Sequence, residues 1–472
     1  MNKIKKTIGV FALASSALAI ASCGEKGPTR KEVEKFTITV TCQESDGEIT
    51  FLESLAEGYM KLNPDRNVIV KNFGGSTFDN YMKSHSFDKQ NLGDIIWMPD
   101  DYFASFAIGE NFVDLRPYYE ASSETSYDKY YQSMLHAANY YGEYKPYSVD
   151  PSPEAGIYFA PRDYNKPVIV CNTDLFNSAG IALPEVNEGW TLQEFTEFCQ
   201  TVANTIKTSK HPLVNGAEAI YFNLGWEPIY TTFMNAYGAD PVVDSTGHFN
   251  LHSEKNCEFL DYMYNNFAKY EKLMCYREES FNDGTCFMRM EVRSAIIENI
   301  AKVKDPDTGE AYIDFLPMPS DATTHSIGAG CSGYGIIANQ AKNVQVCNGE
   351  EKTVEELAWD FIKYTISTQG QNDAGKSGGS VPVLKELENS GAWRQFHPEF
   401  NHDAFISGNE LRLTTFNIFN PSSSCRTSLR ASISSIFSKT MDKSLGSAEQ
   451  RNNWMPGIRD QFDSLGQRFV RK

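Results

Sequence analysis

The sequence has no HExxH pair and no CxxC pair, and its eight His are scattered without metal-ligand spacing. A zinc protease or a structural zinc site therefore lacks its ligands. Neither a phosphate-binding loop nor a nucleophile elbow is expected. Beyond the N-terminus there is no second long apolar run, and a helix needs about 20 apolar residues to cross a bilayer. Basic residues are scarce, with 43 Lys and Arg against 61 Asp and Glu and a net charge of −18. Phosphate backbones are held by basic patches, so nucleic acid is excluded as the expected partner. No metal or other cofactor is expected.

The N-terminus carries the strongest local signal. Lys3, Lys5 and Lys6 precede an apolar stretch over residues 8–21 that ends in Ile20-Ala21-Ser22-Cys23. A charged start, a short apolar run and small residues before a Cys read as a lipoprotein signal over residues 1–22, cleaved before Cys23. The Cys23 thiol would then take a diacylglycerol, and acyl chains anchor at about 0.8 kcal/mol per buried methylene. The cleaved chain keeps 40 basic against 61 acidic side chains. The expected location is the extracytoplasmic face of a bacterial membrane. Residues 23–35 are polar and read as a tether. The nine further Cys, odd in number, are expected to behave as small apolar side chains rather than as disulfides.

The length suits more than one core, since single cores stop growing near 250–300 residues. Residues 36–41, FTITVT, alternate as a strand. Residues 48–62 follow as a helix with Leu52, Leu55, Ala56 and Tyr59 on one face, stopped by Asn63-Pro64. Residues 67–71 and 94–98 are further strands, as are 167–171, 312–316 and 334–338. Thr191 with Glu194, and Thr353 with Glu356, are capping boxes that open helices. Trp190 and Phe195 can staple the first. Strands alternating with helices give an α/β class with mixed sheets. The Gly- and Ser-rich stretches 327–335 and 375–380 are the expected crossings between lobes. Residues 446–472 read as a tail helix.

An ordered set of short motifs resembles the extracellular solute-binding proteins of sugar ABC importers, a maltose-binding-protein-like family. Residues 94–101, DIIWMPDD, are similar to its strand ending in the cleft, and 112–115, FVDL, to the segment that follows. The most specific stretch runs from 156–163, GIYFAPRD, through 168–172, VIVCN, to Asp174, Phe176, Ala179 and Gly180. Phe281, Gly284, Cys286 and Met288 are read as a helix start. Trp359, Phe361 and Ile362, then Val381-Pro382-Val383, resemble the late helix and a third crossing.

The resemblance implies a two-lobed, type II periplasmic-binding-protein-like clamp with several hinge crossings. Lobe 1 would hold residues 36–165 and 326–375, and lobe 2 residues 166–325 and 376–472. It implies capture without chemistry: the lobes close on a mono- or oligosaccharide, and the monomer delivers it to permease subunits. Ligands in open α/β sheets sit beyond the carboxyl ends of strands. The expected ligand-binding residues are Gln43, Ser45, Asp46, Asp100, Asp101, Arg162, Asp163, Trp226, Glu227, Tyr230, Arg293 and Tyr334. For several, a structural role stands beside the binding one: Ser45 or Asp46 as a helix cap, Arg162 and Asp163 as an ion pair at the hinge, Trp226 as a core ring, Arg293 as a surface cation. Residues 422–427, SSSCRT, depart from the family's aromatic wall, so a maltodextrin is not the expected ligand. A lipid-anchored glycan hydrolase is one alternative, and a binding protein for a polyamine or peptide is another.

Overall fold

The computed structural model describes residues 28–43, 46–73, 92–99, 111–131, 139–140, 156–164, 166–222, 227–240, 253–293, 300, 302–320, 326–328, 332–407, 412–414, 431, 435–441 and 443. In chain order its principal strands are β1 (Arg30–Glu32), β2 (Phe36–Gln43), β3 (Arg66–Phe73), β4 (Ile95–Pro99), β5 (Ala160–Pro161), β6 (Val168–Asn172), β7 (Glu218–Tyr221), β8 (Met274–Cys275), β9 (Cys286–Glu291), β10 (Ile313–Pro317), β11 (Ser332–Ile336), β12 (Val344–Cys347) and β13 (Glu350–Thr353). The principal helices are α1 (Asp46–Leu62), α2 (Thr173–Ala179), α3 (Leu192–Thr208), α4 (Glu227–Tyr237), α5 (Glu254–Met263), α6 (Val354–Thr365) and α7 (Thr368–Gly375).

Two five-stranded sheets organise the chain. The first runs β3-β2-β4-β11-β5, with β2 parallel to β3 and β4, and β11 antiparallel to β4 and β5. The second runs β8-β7-β9-β6-β10, with β7 parallel to β8 and β9, and β6 antiparallel to β9 and β10. In the first sheet the late strand β11 runs antiparallel to its neighbours, and in the second it is the earliest strand, β6, that does. The sequence expected a helix start at 281–288, but Cys286 and Met288 lie in β9. Gly284 turns the chain with a φ of +70°, and five buried residues in a row then suit a strand covered on both faces.

Two buried clusters form the interior: the first packs on the first sheet and on one face of the second, the other on the second sheet's opposite face. Phe51, Leu52, Leu55, Ala56 and Tyr59 of α1 bury one stripe against the first sheet. The capping box of α3 forms as expected, with Thr191 Oγ1 accepting from the Glu194 amide at 3.2 Å and Glu194 accepting from the Thr191 amide at 2.7 Å. Trp190 meets Phe195 edge to face at 5.3 Å between centroids. Leu192, Phe195, Cys199, Val202, Ala203 and Ile206 then pack into the second core. The Thr353–Glu356 box opens α6 in the same way. In β6, Val168 and Val170 point into the first core, Ile169 and Cys171 into the second, as a period-two strand between two layers requires. Val381, Val383, Leu387 and Trp393 join the first of these clusters.

Part of the segment read as a tether is folded: β1 pairs in parallel with β12 in a three-stranded sheet, β1-β12-β13. The expected tail helix at 446–472 lies outside the described residues. Cys42, Cys171, Cys199, Cys257, Cys275, Cys286 and Cys347 are free thiols, six of them buried. No described helix is long and apolar enough to cross a membrane.

Candidate functional site

The carboxyl ends of β2 and β4 lie beside the first residue of β11, since Ser332 pairs with Pro99. β5 ends at the same edge, and the chain leaves it through Arg162, Asp163 and Tyr164 on its way to β6 in the second sheet. Three crossings meet there. The Arg162 amide donates to the Ser332 carbonyl at 2.7 Å, and the Tyr164 amide donates to the Val381 carbonyl at 2.9 Å. Backbone fits this closely only because residue 333 is Gly: a Cβ there would strike the Phe159 ring and the Ala160 carbonyl.

Buried charge sits on this meeting point. Arg162 pairs with its neighbour Asp163, and its Nε stands 3.2 Å from Glu48 Oε2 in the first turn of α1. The guanidinium also lies over the Phe51 ring, 3.7 Å from its centroid. Burial pushes the Glu48 and Asp163 carboxyls up, more than Arg162 draws them down. Burial would lower Arg162, but Asp163 and Glu48 outweigh it and hold the guanidinium above its ordinary value. Tyr334 of β11 is buried beside them, and burial raises its hydroxyl well above the usual phenol range. Among the described residues, Tyr334 Oη and Asp163 Oδ1 have no hydrogen-bond partner. A buried acceptor and a buried hydroxyl left unmatched is unusual in a protein interior.

Two more cations are buried nearby in the fold. Lys166, two residues beyond Tyr164, donates to the Ser407 carbonyl, and burial lowers its ammonium to about 7. Arg293 follows β9 and donates to the carbonyls of Gly378 (2.7 Å) and Trp393 (2.9 Å) and to His402 Nδ1 (3.1 Å). Its guanidinium lies over the Trp393 and Phe405 rings at 5.0 and 4.9 Å. Burial, then Arg394, lowers it to about 9.

Of the sequence-derived candidates, Arg162, Asp163 and Tyr334 are brought together. Gln43 closes β2 and Asp46 opens α1 at the same edge, but their side chains lie outside the described residues, as do Ser45, Asp100, Asp101 and Trp226. Glu227 opens α4, its side chain likewise outside them. Tyr230 is wholly buried in the second core, its ring stacked on Phe437 at 5.2 Å. Arg293 is buried rather than at the surface, with 5% exposure. Sequence reasoning missed Glu48. Its signal was a carboxylate three and four places before Phe51 and Leu52, on the apolar face of α1. Lys166 gave no such signal.

One expected absence needs correction. Residues 370–377, GQNDAGKS, match the spacing of a phosphate loop, and 375–379, GKSGG, that of a nucleophile elbow. Both motifs need a strand leading into a turn and helix. Here residues 370–375 are helical within α7, which follows helix α6. Lys376 pairs with Asp373 at 2.6 Å, and Ser377 Oγ donates to the Ala374 carbonyl at 2.9 Å. The helix spends these amides on its own carbonyls, so no phosphate cradle exists. Among the described residues no group of three metal-ligating side chains is found either.

Comparison with known proteins follows the same line. The family described as bacterial extracellular solute-binding protein matches residues 55–400. No curated protein matches the sequence. Among solved structures, the sugar-binding protein MalE from the phytopathogen Xanthomonas citri is 14% identical, with a TM-score of 0.65 over 90% of this chain and 96% of that one. The ABC substrate-binding protein Lmo0181 from Listeria monocytogenes, in complex with cycloalternan, is 14% identical, with a TM-score of 0.61 over 89% and 99%. UgpB from Mycobacterium tuberculosis, in complex with glycerophosphocholine, is also 14% identical, with a TM-score of 0.61 over 89% and 98%. At such identities the likeness is one of fold, that of the two-lobed binding proteins.

Proposed function

Because the chain belongs to the bacterial extracellular solute-binding protein family, we propose that it is the lipid-anchored capture component of an ABC importer and that its ligand is a mono- or oligosaccharide. The observation that carries this reading is the pair of unmatched polar atoms, Asp163 Oδ1 and Tyr334 Oη, beside Arg162 where the crossings meet. Sugar hydroxyls each donate and accept, and a carboxylate oxygen next to a phenol hydroxyl offers both roles at a buried point. Gln43, Ser45, Asp46, Asp100 and Asp101 flank the same strand ends and would complete the polar rim. Trp226 and Glu227 would belong to the opposite wall, with Trp226 offering a ring face, while Tyr230 and Arg293 are spent on packing and internal hydrogen bonds.

In this reading the lobes, 36–165 with 326–375 and 166–325 with 376–472, close on the ligand by bending at the crossings. The closed monomer docks on the permease subunits and does no chemistry. Cys23 carries the lipid.

A thermal-shift screen of the purified protein against monosaccharides, oligosaccharides, polyamines and peptides tests the ligand class, since a ligand raises the melting temperature by mass action. A sugar that raises it in the wild type and loses at least tenfold in affinity on Tyr334→Phe supports the proposal. A shift with polyamines or peptides alone sinks the sugar assignment, and release of products from a glycan sinks capture without chemistry. Loss of membrane association on Cys23→Ala tests the anchor.

A further inference from the structure

Gln371 of α7 is 3% exposed, and its amide is used on both sides. Nε2 donates to the carbonyl of Arg162 at 3.2 Å and to that of Thr365 at 2.8 Å, while Oε1 accepts from the Val383 amide at 2.9 Å. Arg162 lies on the first crossing and Val383 on the third. The local fold aims the side chain there. Ser367 caps α7 by accepting from the Gly370 amide. Gly370 lets the helix lie against the Tyr364 carbonyl, which a Cβ would strike. Gln371 follows directly, turned inward between the crossings.

We propose that Gln371 is a positioning residue that clasps the first and third crossings into one unit, so that both move together when the lobes change their relation. The proposal rests on the two-lobe capture reading for its purpose, though not for its test. Two direct bonds also link the crossings to one another, Arg162 to Ser332 and Tyr164 to Val381. Each is a single backbone bond, whose net contribution is modest. A side chain gripping both strands from a fixed helix makes their opening cooperative. An amide suits the task because it donates and accepts in one plane, whereas a carboxylate cannot donate.

Hydrogen exchange of the intact protein, read amide by amide, tests this. In Gln371→Leu the Val383 amide loses its acceptor and must exchange faster under any account. The clasp further requires the Arg162 and Tyr164 amides, whose own acceptors are untouched, to exchange at least tenfold faster, while Val40 of β2 stays as slow as in the wild type. In Gln371→Glu, which keeps an acceptor for Val383 and loses the donor to Arg162, Val383 stays protected and the Arg162 and Tyr164 amides speed up. This variant keeps the test open if the leucine form does not fold. Acceleration confined to Val383, or acceleration that includes Val40 equally, overturns the proposal. A sugar screen that finds no ligand removes the capture reading and leaves this result standing.

Discussion

Arg162 Nε stands 3.2 Å from the Glu48 carboxylate, a pair formed between the first crossing and the first turn of α1. With Asp163 on its other side, one guanidinium holds two buried carboxylates. Removing it would leave both without their cation in a dry site. Arg162→Met is expected to destabilise the protein by about 3–5 kcal/mol. Adding Glu48→Gln and Asp163→Asn in the same chain should recover most of the loss, because the penalty belongs to the stranded charges. Urea denaturation at pH 7 measures both, and a single variant as stable as the wild type would refute the account.

His402 gives the stability a slope in acid. Its Nε2–H donates to the His397 carbonyl at 3.0 Å, so Nδ1 is the acceptor for Arg293. Burial, then the Arg293 charge, lowers the ring to about 4, against about 6.5 in an unfolded chain. Between those values the unfolded chain binds a proton that the folded one refuses. This contribution is therefore fully present above pH 6.5 and is lost as pH falls towards 4. His402→Gln should flatten the fall in melting temperature between pH 6.5 and 4, compared with the wild type over the same range.

Lys166 works in the alkaline range. Its ammonium is lowered to about 7 by burial, against about 10.4 when exposed. Between pH 7 and 10 the unfolded chain again binds the extra proton, so this group's contribution rises with pH and is least below 7. Lys166→Met should raise the melting temperature at pH 6 and do little at pH 10. Equal effects at both would show that the amine is not buried as described.

The capping boxes provide a local measure. Thr191→Ala and Thr353→Ala each remove the acceptor for one helix amide and one partner of a Glu. Each should cost about 1 kcal/mol by denaturant unfolding, with no change in ligand affinity.

Much of this architecture was readable from residue order. The strands at 36–43, 66–73 and 95–99 and the helix between the first two follow from period-two and helical patterning, and Thr191 and Thr353 marked helix starts because cap chemistry is local. The strand at 286–291 was misread because a short apolar run serves a buried strand or a helix equally well. In the site, Arg162, Asp163 and Tyr334 were found from their place near expected crossings. Gln371 and Lys166 were not, since a buried amide or lysine has no pattern until its distant partners are known. The two catalytic-motif spacings at 370–379 show the converse: spacing without the strand that precedes it carries no chemistry.

The pairing of β1 with β12 sets a leash. With Cys23 acylated, the backbone from residue 23 to residue 30 spans at most about 25 Å when fully extended. The first lobe would then hover within that stand-off of the bilayer and could not roll freely. The face built from residues 30–32 and 344–353 would be turned towards the lipid, leaving only a restricted set of orientations in which the molecule meets a membrane-embedded partner.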